Sequence, residues 1–253
     1  MLNFTKKSLT IDYEQIEIYL DGEKLCFEEE ASFLGITIDS NLNWEKQCNN
    51  VANKISQNSG AINRVKKILP PTSLKILYSS FIQPHIQYGL AVWGGCNSKN
   101  KKRIIAIQKR VIRNITRSYF SSHTEPRMKS IGILKFEDLY RHQCIMLTHD
   151  ILHKKNPKNI TKLFNSEHYV SDYSLRNHEQ NPLDIKAPLF KTKAGSNSFC
   201  CKGPKIWNET PNELRAIKKK HIFKKSTKLF YINQYNHKME CNNPRCLDKK
   251  HHN

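Results

Sequence analysis

The chain has 253 residues, of which 38% are hydrophobic, and its 42 Lys and Arg against 22 Asp and Glu give a net charge of +20. This composition excludes a wholly disordered chain, and no apolar run approaches the roughly 18 residues that a membrane-spanning helix requires. The excess of positive charge favours a polyanion, above all a nucleic acid, as the partner.

The charge is distributed unevenly along the chain. Residues 1–50 hold 4 basic and 10 acidic side chains, whereas residues 51–130 hold 15 basic side chains and one acid, Glu125. Residues 131–253 hold 23 basic and 11 acidic side chains. An acidic beginning followed by a basic body predicts that the protein presents a nucleic-acid-binding face.

The amino-terminal residues and the cysteines indicate the compartment. Residues 1–7 lack the apolar core of a signal peptide, and the eight cysteines are scattered rather than regularly spaced. Scattered cysteines in a chain that is not secreted are typical of reduced thiols. We therefore expect an intracellular protein, in the nucleus or the cytoplasm, that makes no membrane contact.

The first 40 residues are predicted to form strands. Residues 15–20 alternate polar and apolar side chains, the Asp21-Gly22 dipeptide favours a tight turn, and residues 24–27 follow as the partner strand. Residues 33–39 are almost continuously apolar. They predict a third strand that is buried on both faces.

Two helices are predicted next. Apolar residues recur at helical spacing over 44–69, and either Asn41 or Asn43 is a suitable cap. Residues 74–93 carry apolar side chains almost all round the helix, which favours a central, buried helix with a kink at Pro84.

The third helix, over 99–117, has a different character, because one side is apolar and the rest carries eight cations without an acid. Like charges at this spacing repel one another, so they exceed what solubility alone requires. We interpret the helix as a phosphate-binding surface; a merely solvated basic face and a membrane-surface or calmodulin-binding helix are the alternatives. The candidate nucleic-acid-binding residues are Lys99, Lys101, Lys102, Arg103, Lys109, Arg110, Arg113 and Arg117.

The remaining chain is predicted to be helical on both sides of a linker. A helix begins near Thr124 and a long one covers 136–155, whereas residues 165–195 lose all periodicity and predict a loop or linker. Regular structure returns at 198–207, and a short helix after Pro211 and a further one at 223–235 are predicted. The fold class is therefore mainly α, with a helical bundle that follows a short antiparallel β piece.

Aromatic residues and a carboxy-terminal cysteine–histidine cluster complete the candidates. The three tryptophans lie among apolar neighbours and are expected in the core, so Tyr119 and Phe120 are the better candidates for stacking on bases. Cys241, Cys246 and His251 could bind zinc, but their spacing is loose and a fourth ligand is undefined. We predict neither a zinc site nor any other cofactor.

Seven short motifs follow one another within about residues 15–235. They lie at residues 33–39, 84–89, 92–94, 107–113, 122–126, 131–134 and 198–211. Their order resembles the region that follows the polymerase palm in jockey-like non-LTR retrotransposon reverse transcriptases. Each motif alone is weak, and their succession in one chain carries the resemblance.

The resemblance implies an RNA-directed DNA polymerase, but the chain has no Asp-Asp dipeptide and its aspartates are isolated from one another. Nucleotidyl transfer uses paired metal ions held by carboxylates, so no catalytic residue is assigned, and magnesium would belong to a palm outside this chain. The implied organisation is a palm-edge remnant at 1–42, a thumb-like helical domain at 43–164, a linker at 165–195 and a basic segment at 196–253.

The resemblance thus predicts a truncated element copy, inactive alone, that binds RNA or an RNA–DNA hybrid, with target DNA as a further candidate. A non-enzymatic polyanion-binding or structural protein is the alternative. A product of a decayed element, without a selected role, is a third reading that the sequence leaves open.

Overall fold

A computed structural model describes residues 17–26, 28–161 and 183–235. Two short antiparallel hairpins precede a series of helices. The predicted fold class, mainly α with a short antiparallel β piece at the front, is therefore confirmed. In the described part of the chain, every helix is too short or too polar to cross a bilayer.

The first hairpin is shorter than its sequence pattern predicts. Strand β1 (Tyr19–Leu20) pairs with β2 (Glu23–Lys24) in antiparallel register around the Asp21-Gly22 turn. The predicted turn is thus confirmed. The beginning of the predicted first strand lies outside the described residues.

The single buried strand predicted at 33–39 is wrong. The chain turns at Leu34 and Gly35, so that β3 (Glu30–Phe33) and β4 (Ile36–Asp39) form a second hairpin. Both turn residues have positive φ, 48° and 76°, as a two-residue turn between twisted strands requires. The hairpin lies at the surface, and Phe33 at its tip is 64% exposed.

Helix α1 (Glu45–Val65) is positioned by Asp39 rather than by the predicted asparagine caps. The Asp39 carboxylate accepts backbone hydrogen bonds from Asn43 at 2.9 Å and from Trp44 at 2.7 Å. Trp44 has φ 62°, which places these N–H groups toward the end of β4. The negative charge of Asp39 also complements the positive end of the helix dipole.

The helix predicted over 74–93 is divided into three: α2 (Pro71–Phe81), α3 (Gln83–Gln87) and α4 (Leu90–Trp93). Pro84 has no N–H to continue the α2 ladder, and Gly89 reverses the backbone with φ 60°. Only one side of this region is buried, so the expectation of burial all round is wrong.

The basic helix is confirmed as α5 (Ser98–Ile115), which packs along α1. It is followed by α6 (Glu125–Ile131), α7 (Phe136–Leu152) and α8 (Lys158–Thr161). After the second undescribed gap come α9 (Lys193–Asn197), α10 (Phe199–Asn208), α11 (Asn212–Arg215) and α12 (Lys220–Asn233).

One hydrophobic core joins helices α1–α7, α10 and α12. Trp93 and Trp207 are fully buried in it, as expected, and Trp44 is partly buried against it. The indole N–H of Trp207 donates to the carbonyl of Leu183 at 2.9 Å. The amide of Asn208 exchanges two hydrogen bonds with the backbone of Ile185, so the end of the predicted linker is attached to α10.

Two histidines of α7 are buried where α7 meets the carboxy-terminal segment. His149 stacks with Phe223 at 4.3 Å between ring centroids and hydrogen-bonds the carbonyl of Ile217. His142 hydrogen-bonds the carbonyl of Lys224 at 3.2 Å. Burial is the main cause that lowers the pKa of both histidines.

We expect this burial to make the protein acid-sensitive. In the unfolded chain the histidines titrate near pH 6.5, above their folded pKa, so acid protonates the unfolded state first. Their contribution to the free energy of unfolding is present at pH 7 and decreases as the pH falls through about 6.5. Urea unfolding at pH 7 and pH 5 measures this change.

In the variant His149→Asn the free energy of unfolding should decrease less between pH 7 and pH 5 than in the wild type. His221→Asn, at an exposed position, is the matched control and should behave like the wild type. An equal pH dependence in wild type and His149→Asn would contradict the role given to His149.

Candidate nucleic-acid interface

The orientation of α5 is set by its capped start and its buried side. The Asn97 side chain accepts a hydrogen bond from the backbone N–H of Asn100 at 2.9 Å, as an N-cap does. Gln108 is fully buried, and its amide donates to the hydroxyl of Tyr78 and the carbonyl of Leu134. With isoleucines and Val111 on the same side, these contacts turn the opposite side of α5 to solvent.

Three exposed cations of α5 form one line on that opposite side, and a fourth, Arg117, follows the end of the helix. Lys99, Arg103 and Arg110 are separated by one and two helical turns, so they lie above one another over about 17 Å. We call these four residues the basic stripe. Arg117 lies just beyond the end of α5, where its guanidinium also donates to the carbonyl of Leu69.

The other four predicted cations are placed differently. Lys102 and Lys109 are exposed beside the stripe, and Lys109 lines a cavity that also contains Glu125 and Glu137. Lys101 points away, with its ammonium 5.8 Å from the ring centroid of Phe136. The structure therefore does not bring all eight predicted cations to one surface.

Arg113 connects the stripe to a groove between α1 and α5. Its Nε donates to the carbonyl of Ser122 at 3.0 Å, and its side chain is partly buried. The groove has a volume of about 410 Å³ and contains neither Asp nor Glu among its lining residues. We call it the α1–α5 groove; its lining residues are Ser56, Ser59, Gly60, Asn63, Lys66, Arg110, Arg113, Asn114, Ser118 and Phe120.

The α1 side of this groove is missing from the sequence-based prediction. Its signal is the run of small polar residues at 56–60, which is unfavourable within a helix and leaves room above the helix surface. Nothing lies within 4 Å of the position where a Cβ on Gly60 would stand. Lys66 reaches across the groove and donates to the side-chain oxygen of Asn114 at 3.0 Å.

The electrostatic environment of Arg113 favours an anionic ligand. Its pKa is lowered first by burial and then by the positive charge of Arg127. Both effects oppose a charge on Arg113, and the negative charge of a bound phosphate would offset them. Because guanidinium groups bind phosphate through two parallel hydrogen bonds, Arg110 and Arg113 are suited to this ligand.

Arg117 occupies a backbone position that normally belongs to glycine. The N–H of Ser118 bonds to the carbonyl of Arg113 and that of Arg117 to Asn114, which together form a Schellman motif. At its left-handed position Arg117 has φ 51°. A non-glycine residue there costs about 1 kcal/mol, so the backbone conformation at 117 would be more favourable with glycine than with arginine.

We predict that Arg117→Gly separates stability from binding. Its free energy of unfolding should stay level or rise by about 1 kcal/mol, because the backbone strain is removed. Its affinity for RNA should fall about fivefold at 0.1 M salt, because one phosphate contact is lost. Urea unfolding and fluorescence anisotropy measure the two effects.

Lys154→Gly is the matched control. Lys154 is exposed, has φ 53°, and ends α7 in the same kind of motif, but it lies on another helix. It should be stabilised similarly and keep its affinity. An equal loss of affinity in both variants would contradict a specific role for Arg117.

The zinc candidates Cys241, Cys246 and His251 lie outside the described residues. Within the described ranges, no group of three His, Cys, Asp or Glu side chains is arranged to hold a metal ion. Comparison with protein-family profiles, curated proteins and solved structures finds no match to this chain.

Proposed function

We propose that this chain is the thumb-like, post-palm part of a non-LTR retrotransposon reverse transcriptase, and that it binds RNA or an RNA–DNA hybrid. The observation that carries the binding proposal is the acid-free α1–α5 groove, which Arg110 and Arg113 connect to the basic stripe. The ordered motifs at 33–39, 84–89 and 107–113 support the family assignment.

The basic stripe is suited to the sugar–phosphate backbone rather than to base edges. Three of its four cations lie along one exposed line on α5, whose other side is fixed in the core. Such contacts position a strand and provide affinity without reading its sequence. We therefore expect binding that depends strongly on salt and weakly on base sequence.

A second cluster of cations supports the alternative function, which is binding to polyanions in general. The pKa of Lys228 is lowered by burial and then by the positive charges of Lys75 and Lys224. Its lysines lie on α2 and α12, and none of them lines the α1–α5 groove. A protein that binds any polyanion would use both surfaces without preference for the shape of a nucleic acid.

Competition binding distinguishes the two functions. We expect a fluorescent 20-nucleotide RNA and the corresponding RNA–DNA hybrid to bind with a log–log salt slope of about −3 to −4, as four or five phosphate contacts predict. Heparin matched to the same total charge should compete less well than unlabelled RNA, because its sulfates do not reproduce the spacing of phosphates along the basic stripe and the groove. Equal competition by heparin would favour the alternative over the reverse-transcriptase proposal.

The proposal also predicts that the chain alone does not polymerise. With a primed RNA template, deoxynucleotides and Mg²⁺ or Mn²⁺, no primer extension is expected, because the chain's aspartates are isolated in sequence. Template-dependent extension by the purified chain would overturn this part of the proposal.

A further inference from the structure

Two aromatic rings stand exposed at the end of the basic helix. Tyr119 is 62% and Phe120 86% exposed, although the core lies only one turn away. Phe120 also lines the α1–α5 groove, next to the guanidinium of Arg113, whose central carbon is 5.6 Å from the ring centroid. An exposed phenyl ring beside several cations resembles the stacking surfaces that bind single-stranded nucleic acids.

The loop that carries these rings is held from both sides. The Ser118 hydroxyl hydrogen-bonds that of Thr116 at 2.8 Å, and the backbone N–H of Ser122 donates to the carbonyl of Tyr119 at 3.1 Å. Ser122 is buried, and its own carbonyl accepts from Arg113. The same arginine thus lines the groove and fixes the loop, so the backbone that carries Phe120 is anchored before any ligand binds.

The arrangement of charge and ring selects one form of nucleic acid. A nucleotide joins its phosphate and its base through one sugar, so a strand with phosphates on Arg110 and Arg113 brings a base close to Phe120. In a duplex, internal bases are stacked and paired, and their faces are covered. An unpaired strand presents the faces of its bases to an aromatic ring.

We infer that the α1–α5 groove binds a single-stranded segment, with its phosphates on Arg110 and Arg113 and a base stacked on Phe120. This inference rests on the proposed function and deepens it, because it assigns the strand form and the contact to a base. The basic stripe then serves any strand, whereas Phe120 serves only an unpaired one.

Binding of matched oligonucleotides to the full chain tests this inference. The probes are a 12-nucleotide single-stranded RNA, the DNA strand of the same sequence, its fully base-paired duplex, and an abasic strand with the same number of phosphates. Phe120→Ala should weaken both single strands about 5- to 100-fold, with an unchanged salt slope, because stacking carries no charge. Its affinity for the duplex and for the abasic strand should stay the same.

Two further variants make the result specific. Phe120→Trp should retain the affinity for single strands, since indole also stacks on bases. Phe33→Ala removes another exposed phenyl ring, at the tip of the β3–β4 hairpin, and should leave the affinity for all four probes unchanged. Thermal unfolding of each variant verifies that the fold is retained.

The outcomes separate the inference from the proposed function. Unchanged binding of single strands by Phe120→Ala, together with weakened binding by Arg110→Glu, would overturn the stacking inference and leave the proposed function intact. Unchanged binding in both variants would overturn both.

Discussion

Reversing two charges of the basic stripe, in Arg103→Glu/Arg110→Glu, should lower the affinity for single-stranded RNA about 30- to 100-fold at 0.1 M salt. Each lost phosphate contact removes about 0.7 from the log–log salt slope of a single strand, or about fivefold in affinity at this concentration. The two new carboxylates add repulsion. The slope should therefore decrease by at least about 1.4, as measured by anisotropy titrations at several KCl concentrations.

The matched control is Lys186→Glu/Lys191→Glu, which changes the net charge equally. Both lysines are exposed and lie outside α5 and the α1–α5 groove. If binding depended only on net charge, both double variants would lose affinity to the same extent. That outcome would contradict the assignment of the interface to α5.

Removing the buried indole in Trp207→Ala should lower the free energy of unfolding by about 3–5 kcal/mol, the usual cost of deleting a buried aromatic side chain. Trp207 packs against Phe223 with ring centroids 5.9 Å apart, and its N–H bonds to the carbonyl of Leu183. The substitution thus leaves a cavity and removes one of the two hydrogen bonds to the Leu183 carbonyl, which also accepts from Arg215 at 3.2 Å. Both changes fall in the region that joins α10, α12 and the chain at 183.

Leu229→Ala on α12 is the control, because Leu229 is about half exposed. This substitution should lower the free energy of unfolding by no more than about 1 kcal/mol. Both variants are compared by urea unfolding followed by circular dichroism. A loss below 1 kcal/mol for Trp207→Ala would contradict the packing of the carboxy-terminal segment into the common core.

The basic helix could be predicted from sequence because its information is local. Apolar residues at helical spacing from Ile104 to Ile115 define the buried side of α5, and charge defines the exposed side. The groove beside it could not be predicted in the same way. It forms only when Arg110 and Asn114 of α5 meet Gly60 of α1, 50 residues away in the chain.

The errors in the first 95 residues also have physical causes. Leu34 at a positive φ is an uncommon turn residue, so the apolar run at 33–39 reads as one strand although it reverses direction. Asp39 replaces the predicted asparagine caps because the tertiary approach of β4 brings its carboxylate to the start of α1. At 74–93, Pro84 and Gly89 interrupt a pattern whose apolar content favours one long helix.

Photo-crosslinking tests the central claim, that the α5 surface contacts nucleic acid, most directly. A single-stranded RNA that carries 4-thiouridine is irradiated with the full chain, and the crosslinked peptides are identified by mass spectrometry. We predict that crosslinks concentrate on peptides from residues 103–120 and disappear in the Arg103→Glu/Arg110→Glu variant. Crosslinks confined to peptides outside this range, unaffected by the double substitution, would contradict the account.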